Sequence, residues 1–89
     1  MTTAARRLAV LHDQCLEDLE YFIERAPKLA SKTLKLMRET LRDPVTGTGK
    51  PEALKGLPGV WSRRVDQEHR LVYRVLADRV DFLQARYHY

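Results

Sequence analysis

The pattern of apolar and polar positions starts with a short extended segment and an amphipathic helix. Leu8 to Leu11 form an apolar run that fits a buried strand, and Asp13 then offers a helix N-cap. Beyond Asp13, acidic residues fall on one side of the predicted helix and apolar residues recur at helical spacing on the other. The apolar positions are Cys15, Leu16, Leu19, Phe22, Ile23 and Ala26.

A second amphipathic helix follows directly. Pro27 suits its first position, where a missing N–H costs nothing. One side of this helix is suited to packing and holds Leu29, Thr33, Leu36, Met37, Thr40 and Leu41. The opposite side is cationic and holds Lys28, Lys32, Lys35, Arg38 and Arg42.

The segment from Asp43 to Gly59 contains all four glycines and three of the four prolines, which predicts a long loop. A loop of this length in so small a domain is more often functional than not. Three runs of strand character follow, joined by short connections that predict hairpins. They are Val60 to Val65, His69 to Leu76 and Arg79 to Tyr89.

These elements predict an α+β fold with two N-terminal helices packed on a small, mainly antiparallel sheet of about four strands. The early strand is expected at a sheet edge. Strict alternation along the last strand gives two faces. One face would hold Val80, Phe82, Gln84, Arg86 and His88, and the other Asp81, Leu83, Ala85, Tyr87 and Tyr89.

The composition is that of a single globular domain over residues 1–89. The chain has 44% hydrophobic and 31% charged residues, a net charge of +4 and no apolar run of the roughly 20 residues needed to span a bilayer. We therefore expect a cytoplasmic protein with no membrane partner. The single cysteine, Cys15, could be a nucleophile, but its place among apolar helix positions favours a buried structural thiol.

Basic and aromatic residues are interleaved in the second half of the chain, a composition expected of a site for single-stranded RNA. The bases are Lys50, Lys55, Arg63, Arg64, Arg70 and Arg74, and the aromatic residues are Trp61, Tyr73, Tyr87 and Tyr89. The alternative is that the arginines form a solvated face and the aromatic rings belong to the core. We predict RNA contacts for Lys50, Lys55, Trp61 and Arg63.

Glu52 and His88 add the groups that RNA cleavage through the ribose 2'-hydroxyl requires. A base must take the 2'-OH proton, an acid must protonate the departing 5' oxygen, and cations must stabilise the charge on the phosphorane. Each residue also has an ordinary interpretation: Glu52 as a solvated carboxylate or helix-starting residue, and His88 as a surface imidazole. The three histidines and one cysteine match no zinc spacing, so no metal or other cofactor is expected.

Four motifs occur in order in the second half of the chain: "GKPEALK", "WSRR", "EHRLVY" and a terminal "RYHY". Together with "LEDLEYF" in the first helix, they resemble the YoeB (Txe) branch of the RelE-like bacterial toxins. The resemblance covers about Leu8 to Tyr89. It implies a toxin that enters the ribosomal A site and cuts messenger RNA there without a metal, leaving a 2',3'-cyclic phosphate.

The resemblance also implies roles for individual residues. Glu52 resembles the family's general base, Arg64 and Arg70 its phosphate-stabilising arginines, His88 its proposed general acid and Tyr89 a residue that holds the nucleotide. Lys50 and Lys55 resemble supporting cations around the scissile phosphate.

The partners implied by the resemblance are the ribosome, messenger RNA and a cognate YefM-like antitoxin whose flexible acidic segment would wrap the toxin. The family tends to form homodimers through its helical layer, and operator DNA is expected only through the antitoxin complex. The cationic face of the second helix fits contacts with ribosomal RNA, or is simply solvated. The alternative function is a catalytically silent protein that blocks translation by occupancy or co-represses its operon.

Overall fold

The computed structural model describes residues 7–86 and has the predicted α+β architecture. Its elements are β1 (Leu8–Leu11), α1 (Asp13–Arg25), α2 (Pro27–Arg42), β2 (Glu52–Ala53), β3 (Val60–Arg64), β4 (Arg70–Val75) and β5 (Arg79–Gln84). The sheet has five strands in the order β1-β5-β4-β3-β2. The additional strand is β2, which lies within the segment that the sequence predicts to be a loop.

The sheet is mixed. β2, β3, β4 and β5 pair antiparallel, whereas β1 pairs parallel to β5 at the sheet edge. The edge position of β1 is confirmed, but its predicted burial is wrong: Leu8 is 69% exposed and Val10 is 37% exposed. Only Leu11 of this strand packs partly against the core.

The hydrophobic core lies between the two helices and one face of the sheet. Its buried members are Cys15, Leu19, Phe22, Ala30, Leu36, Met37, Val65, Leu71, Tyr73, Val80, Phe82 and Ala85. Strand alternation places the side chains of residues 60, 62, 64, 70, 72 and 74 on the other face, which we call the open face.

The prediction for the second helix is confirmed, and the prediction for the first is confirmed in part. In α2 the predicted packing side is buried or half-buried, and the five cations are exposed. In α1, however, Leu16 and Ile23 are exposed, whereas the acidic Asp18 is buried. Asp13 is the first helical residue and not the N-cap, a position that His12 occupies.

Cys15 is fully buried in α1, as expected of a structural thiol. Burial, with a smaller contribution from the charge of Asp18, raises the pKa of the thiol to about 12. A thiol with so high a pKa is almost entirely protonated near neutral pH and is therefore a poor nucleophile.

The last strand departs from strict alternation. Residues 72 and 73 of β4 pair with residues 84 and 82 of β5, so Leu83 is an extra residue that forms a bulge. Because of the bulge, Ala85 joins Phe82 in the core, although the sequence pattern placed these two residues on opposite faces. The strand also ends at Gln84, earlier than predicted.

A buried arginine ties the loop after α2 to the sheet. Arg63 has no exposed surface, and its guanidinium donates to five acceptors from the sheet, α2 and the loop. The acceptors are the Tyr73 hydroxyl at 3.1 Å, Glu39 Oε2 at 2.9 Å and the carbonyl oxygens of Thr48 at 3.2 Å, Thr46 at 2.8 Å and Asp43.

Two glycines allow the loop backbone to pass close to neighbouring residues on its way to this arginine. Gly47 has φ +113° and lies against the Glu39 carboxylate, and Gly49 has φ +86° and packs on the backbone of Arg64. A Cβ atom at either position would collide with these neighbours, in a backbone conformation that L residues rarely adopt. The loop therefore has a defined path although it has little regular structure.

Within residues 7–86, neither helix has the length and apolar character needed to cross a lipid bilayer.

The Glu39 carboxylate in this network predicts a pH-dependent stability. The backbone N–H of Thr48 donates to it at 2.7 Å and, with help from Arg63 and against the effect of burial, holds its pKa below the ordinary 4.5. A lowered folded-state pKa stabilises the fold above the unfolded-state pKa, and this contribution is lost as the pH falls through the folded-state value.

We expect Glu39→Gln to lower the free energy of unfolding by about 1.5 to 3 kcal/mol at neutral pH, since a charged hydrogen-bond acceptor is lost. The difference from the unsubstituted protein should shrink as the pH falls below about 4.5. Urea unfolding at a series of pH values measures both effects. A difference that stays constant down to pH 3 would contradict this account of the network.

Candidate active site

The short strand β2 places Glu52 on the open face. Its two residues pair with β3, Glu52 opposite Ser62 and Ala53 opposite Trp61. The alternative of a helix-starting residue is therefore wrong, whereas a solvated carboxylate agrees with the structure. The Glu52 side chain remains 67% exposed, so it is accessible to a substrate.

Arg70, at the start of β4, joins Glu52 to the sheet. Its Nη2 donates to Glu52 Oε1 at 2.8 Å, and its Nε donates to Ser62 Oγ at 3.0 Å. The Arg70 side chain is only 13% exposed, so these contacts hold the guanidinium against the sheet with a defined orientation. The structure thus brings together two of the residues to which the sequence assigns catalytic roles.

Arg64 completes a cationic group on this face. It is exposed and lies directly opposite Arg70 in the β3–β4 ladder. Its backbone N–H donates to the Gly49 carbonyl oxygen at 2.7 Å, which brings the loop beside the strand. The next loop residue, Lys50, is exposed and has a positive φ of 50°.

An apolar groove of about 400 Å³ adjoins these residues on the open face. Leu54, Leu57, Val60, Val72, Leu83 and Gln84 line it together with the cations Lys55 and Arg74. Val60 and Ser62 are alternate residues of β3, so the groove and the Glu52–Arg70 pair share one surface. Lys55 lines this groove, and its predicted role beside the phosphate stays a prediction.

Two residues with predicted RNA contacts lie elsewhere. Arg63 is fully buried on the helix side of the sheet, where its donors are occupied by the fold, so the structure gives it a structural role. Trp61 is half-buried and packs against the hydrophobic core. The complete burial of Arg63 contradicts its predicted RNA contact, because strand alternation turns this side chain to the helix side of the sheet. The RNA contact of Trp61 stays a prediction.

His88 and Tyr89, which have predicted catalytic roles, lie outside the described residues, as does Tyr87. Ser62, by contrast, is a site residue to which sequence reasoning assigned no role. The only signal for it was its position in "WSRR", two residues before Arg64, where strand alternation places both side chains on the same face.

This arrangement can bind an anion beside a proton acceptor. A guanidinium has five N–H donors, so Arg70 can contact a phosphate oxygen while Ser62 and Glu52 orient it. Arg64 presents a second guanidinium across the ladder. A carboxylate next to two arginines is suited to general-base chemistry on a phosphodiester.

Comparison with known proteins shows the family of this chain. Residues 11–89 match the family model described as YoeB-like toxin of bacterial type II toxin-antitoxin system. The chain belongs to this family. It is a toxin of a type II toxin-antitoxin system, and the resemblance noted in its sequence is confirmed.

Individual YoeB proteins are similar along nearly their whole length. Toxin YoeB of Mycobacterium bovis is 51% identical over 74 residues, which cover 82% of this chain and 87% of the relative. The YoeB dimer from Staphylococcus aureus superposes with a TM-score of 0.86 at 38% identity, covering 96% of this chain and 100% of that one. A YoeB–YefM complex from the same organism has a TM-score of 0.81, with the same identity and coverage.

The different environments of two adjacent arginines predict effects of very different size on stability. Arg63→Ala should lower the free energy of unfolding by about 3 to 5 kcal/mol, because it removes the buried donor that the Glu39 carboxylate and three loop carbonyl groups share. Arg63→Lys should restore little, since one ammonium cannot reach acceptors arranged around a planar guanidinium.

Arg64→Ala is the matched control and should change the free energy of unfolding by no more than about 0.5 kcal/mol, since Arg64 is exposed. Denaturant unfolding of the three variants measures these differences. Equal losses in Arg63→Ala and Arg64→Ala would contradict the structural role of Arg63.

Proposed function

We propose that this YoeB-like toxin is a ribosome-dependent endoribonuclease that cleaves messenger RNA in the ribosomal A site and so inhibits translation. The observation that carries the proposal is the Glu52–Arg70 pair on the open face, with Ser62 holding Arg70 and Arg64 opposite it. A carboxylate for proton transfer and two guanidinium groups for a phosphate are thereby available to one bound nucleotide.

In the proposed reaction, Glu52 accepts the proton of the ribose 2'-hydroxyl. The 2' oxygen attacks the adjacent phosphorus, and Arg64 and Arg70 stabilise the additional negative charge. The bond from phosphorus to the 5' oxygen breaks, and His88 donates a proton to that oxygen. The products are a 2',3'-cyclic phosphate and a 5'-hydroxyl, and no step requires a metal ion.

The weakness of the Glu52–Arg70 pair suits this mechanism. Glu52 is largely exposed, and ion pairs with an exposed partner typically contribute only about 0 to 1 kcal/mol. A phosphate and a 2'-hydroxyl can therefore compete for both partners without a large cost. Lys50 and Lys55 would add positive charge around the phosphate, Tyr89 would hold the nucleotide, and the apolar groove could take a neighbouring base.

The proposed partners are the ribosome, its messenger RNA and a YefM-like antitoxin, and the proposed location is the cytoplasm. The antitoxin assignment is supported by the 38% identical S. aureus relative, whose structure is that of a YoeB–YefM complex. The S. aureus YoeB dimer supports a homodimer. Operator DNA would be contacted only through the antitoxin complex.

We expect the purified protein to cut a ribosome-bound message and to leave 3' ends that carry a cyclic phosphate. Glu52→Gln should slow cleavage by about 10² to 10⁴, the usual contribution of one proton-transfer group. Glu68→Gln, a change at an exposed carboxylate in the β3–β4 turn, is the matched control and should cleave normally. End-group analysis of the products identifies their 3' ends, and the cleavage rate on the same message measures the effect of each substitution.

Linear 3'-hydroxyl ends would contradict transesterification. If Glu52→Gln arrested growth as fully as the unsubstituted toxin while Arg64→Ala did not, the toxin would act by occupying the ribosome and not by cutting.

A further inference from the structure

A buried carboxylate on α1 binds the chain where it leaves β5. Asp18 is only 3% exposed, and its Oδ2 accepts hydrogen bonds from the backbone N–H groups of Ala85 at 2.9 Å and Arg86 at 3.1 Å. Its Oδ1 accepts from Gln14 Nε2 at 3.0 Å. The two backbone contacts join parts of the chain that are 67 and 68 residues apart in sequence.

These contacts take the place of strand pairing. β5 ends at Gln84, just before the two N–H groups that Asp18 accepts. A buried carboxylate is costly unless it is well hydrogen-bonded, and the three donors offset that cost. An apolar residue at position 18 would pack on the core but could not bond these N–H groups, so the carboxylate specifies where the chain runs.

A second residue of α1 acts on the same segment. The Arg86 guanidinium lies over the Tyr21 ring, 3.5 Å from its centroid, within range of a cation–π interaction. Tyr21 is three residues after Asp18, so the two side chains lie on the same side of α1. The helix thus holds residues 85 and 86 by their backbone and by a side chain.

We propose that Asp18 is a positioning residue for the catalytic C-terminal residues. His88 follows Arg86 by two residues in the sequence, so the segment that Asp18 holds leads directly to it. The inference rests on the proposed function, because it assumes that His88 donates a proton during cleavage. Asp18 itself touches neither the substrate nor the reacting atoms.

The expected effect is large because proton transfer is sensitive to geometry. A general acid must come within hydrogen-bond reach of the leaving oxygen, and a misplacement of about 1 Å can cost about 10²-fold in rate. Asp18→Ala leaves the two N–H groups without their acceptor and should therefore slow cleavage by about 10²-fold. The affinity of the Asp18→Ala protein for the ribosome should stay unchanged.

Asp18→Asn is the conservative variant. Its amide oxygen can replace Oδ2 as acceptor for both N–H groups, and Gln14 can turn its own amide oxygen toward the new NH₂ group. It should therefore retain most of the activity. Glu17→Ala, an exposed change one residue away on the same helix, should cleave like the unsubstituted protein.

A double-mutant cycle separates positioning from general destabilisation. If Asp18 acts through His88, the variant Asp18→Ala/His88→Ala should be no slower than His88→Ala alone. Should Asp18→Ala fail to fold, Tyr21→Leu replaces it in the cycle, with an expected slowing of about threefold to tenfold from the lost cation–π contact. The readout is the single-turnover cleavage rate on a ribosome-bound message, with ribosome affinity measured separately.

If the double variant were slower than His88→Ala by the same factor by which Asp18→Ala slows the unsubstituted protein, the inference would be overturned. An Asp18→Ala protein that cleaves at the normal rate would also overturn it. In either case the cleavage by the unsubstituted toxin leaves the proposed function intact. An unsubstituted toxin that does not cleave would overturn the proposed function, and the positioning role of Asp18 with it.

Discussion

The structure depends on the burial of one cation. Arg63 lies on the helix side of β3 with no exposed surface, and a buried guanidinium is tolerated only when its donors are satisfied. Its acceptors come from α2, the loop after it and β4, so these parts must meet at one point. The Tyr73 hydroxyl extends the network by donating to the Pro44 carbonyl oxygen at 2.6 Å. The loop consequently follows one path even though it contributes little to the core.

The buried network around Arg63 also affects the arrangement of residues on the open face. Arg63 and Arg64 are adjacent in β3, so one points into the protein while the other points to the open face. The loop that Arg63 holds pairs with the Arg64 backbone through Gly49 and then enters β2, where Glu52 stands opposite Ser62. The buried arginine thereby helps to fix the path of the loop that leads to Glu52.

The two halves of the candidate site are built in different ways. Glu52, Ser62 and Arg70 stand on paired strands, whose ladder bonds give them a rigid support. Residues 85 and 86, the described residues after β5, lie outside the ladder and are held by Asp18 and Tyr21 of α1. Secondary structure thus positions the carboxylate, whereas a helix side chain holds the segment that leads to the C-terminal residues. The two layers of the fold both contribute to the site.

The amino-acid sequence by itself determined the order of the two helices and of every strand except β2, the packing side of α2 and the edge position of β1, because these follow from local periodicity and from proline and glycine positions. The motifs also identified the family. Local patterns could not decide which of Arg63 and Arg64 is buried, that Leu83 bulges or that Asp18 is an anchor. Each of these depends on partners distant in sequence: the acceptors around Arg63, the register against β4 and the N–H groups at the end of β5. Only the tertiary structure brings such partners together, and so only it decided which polar side chains support the fold and which remain available for chemistry.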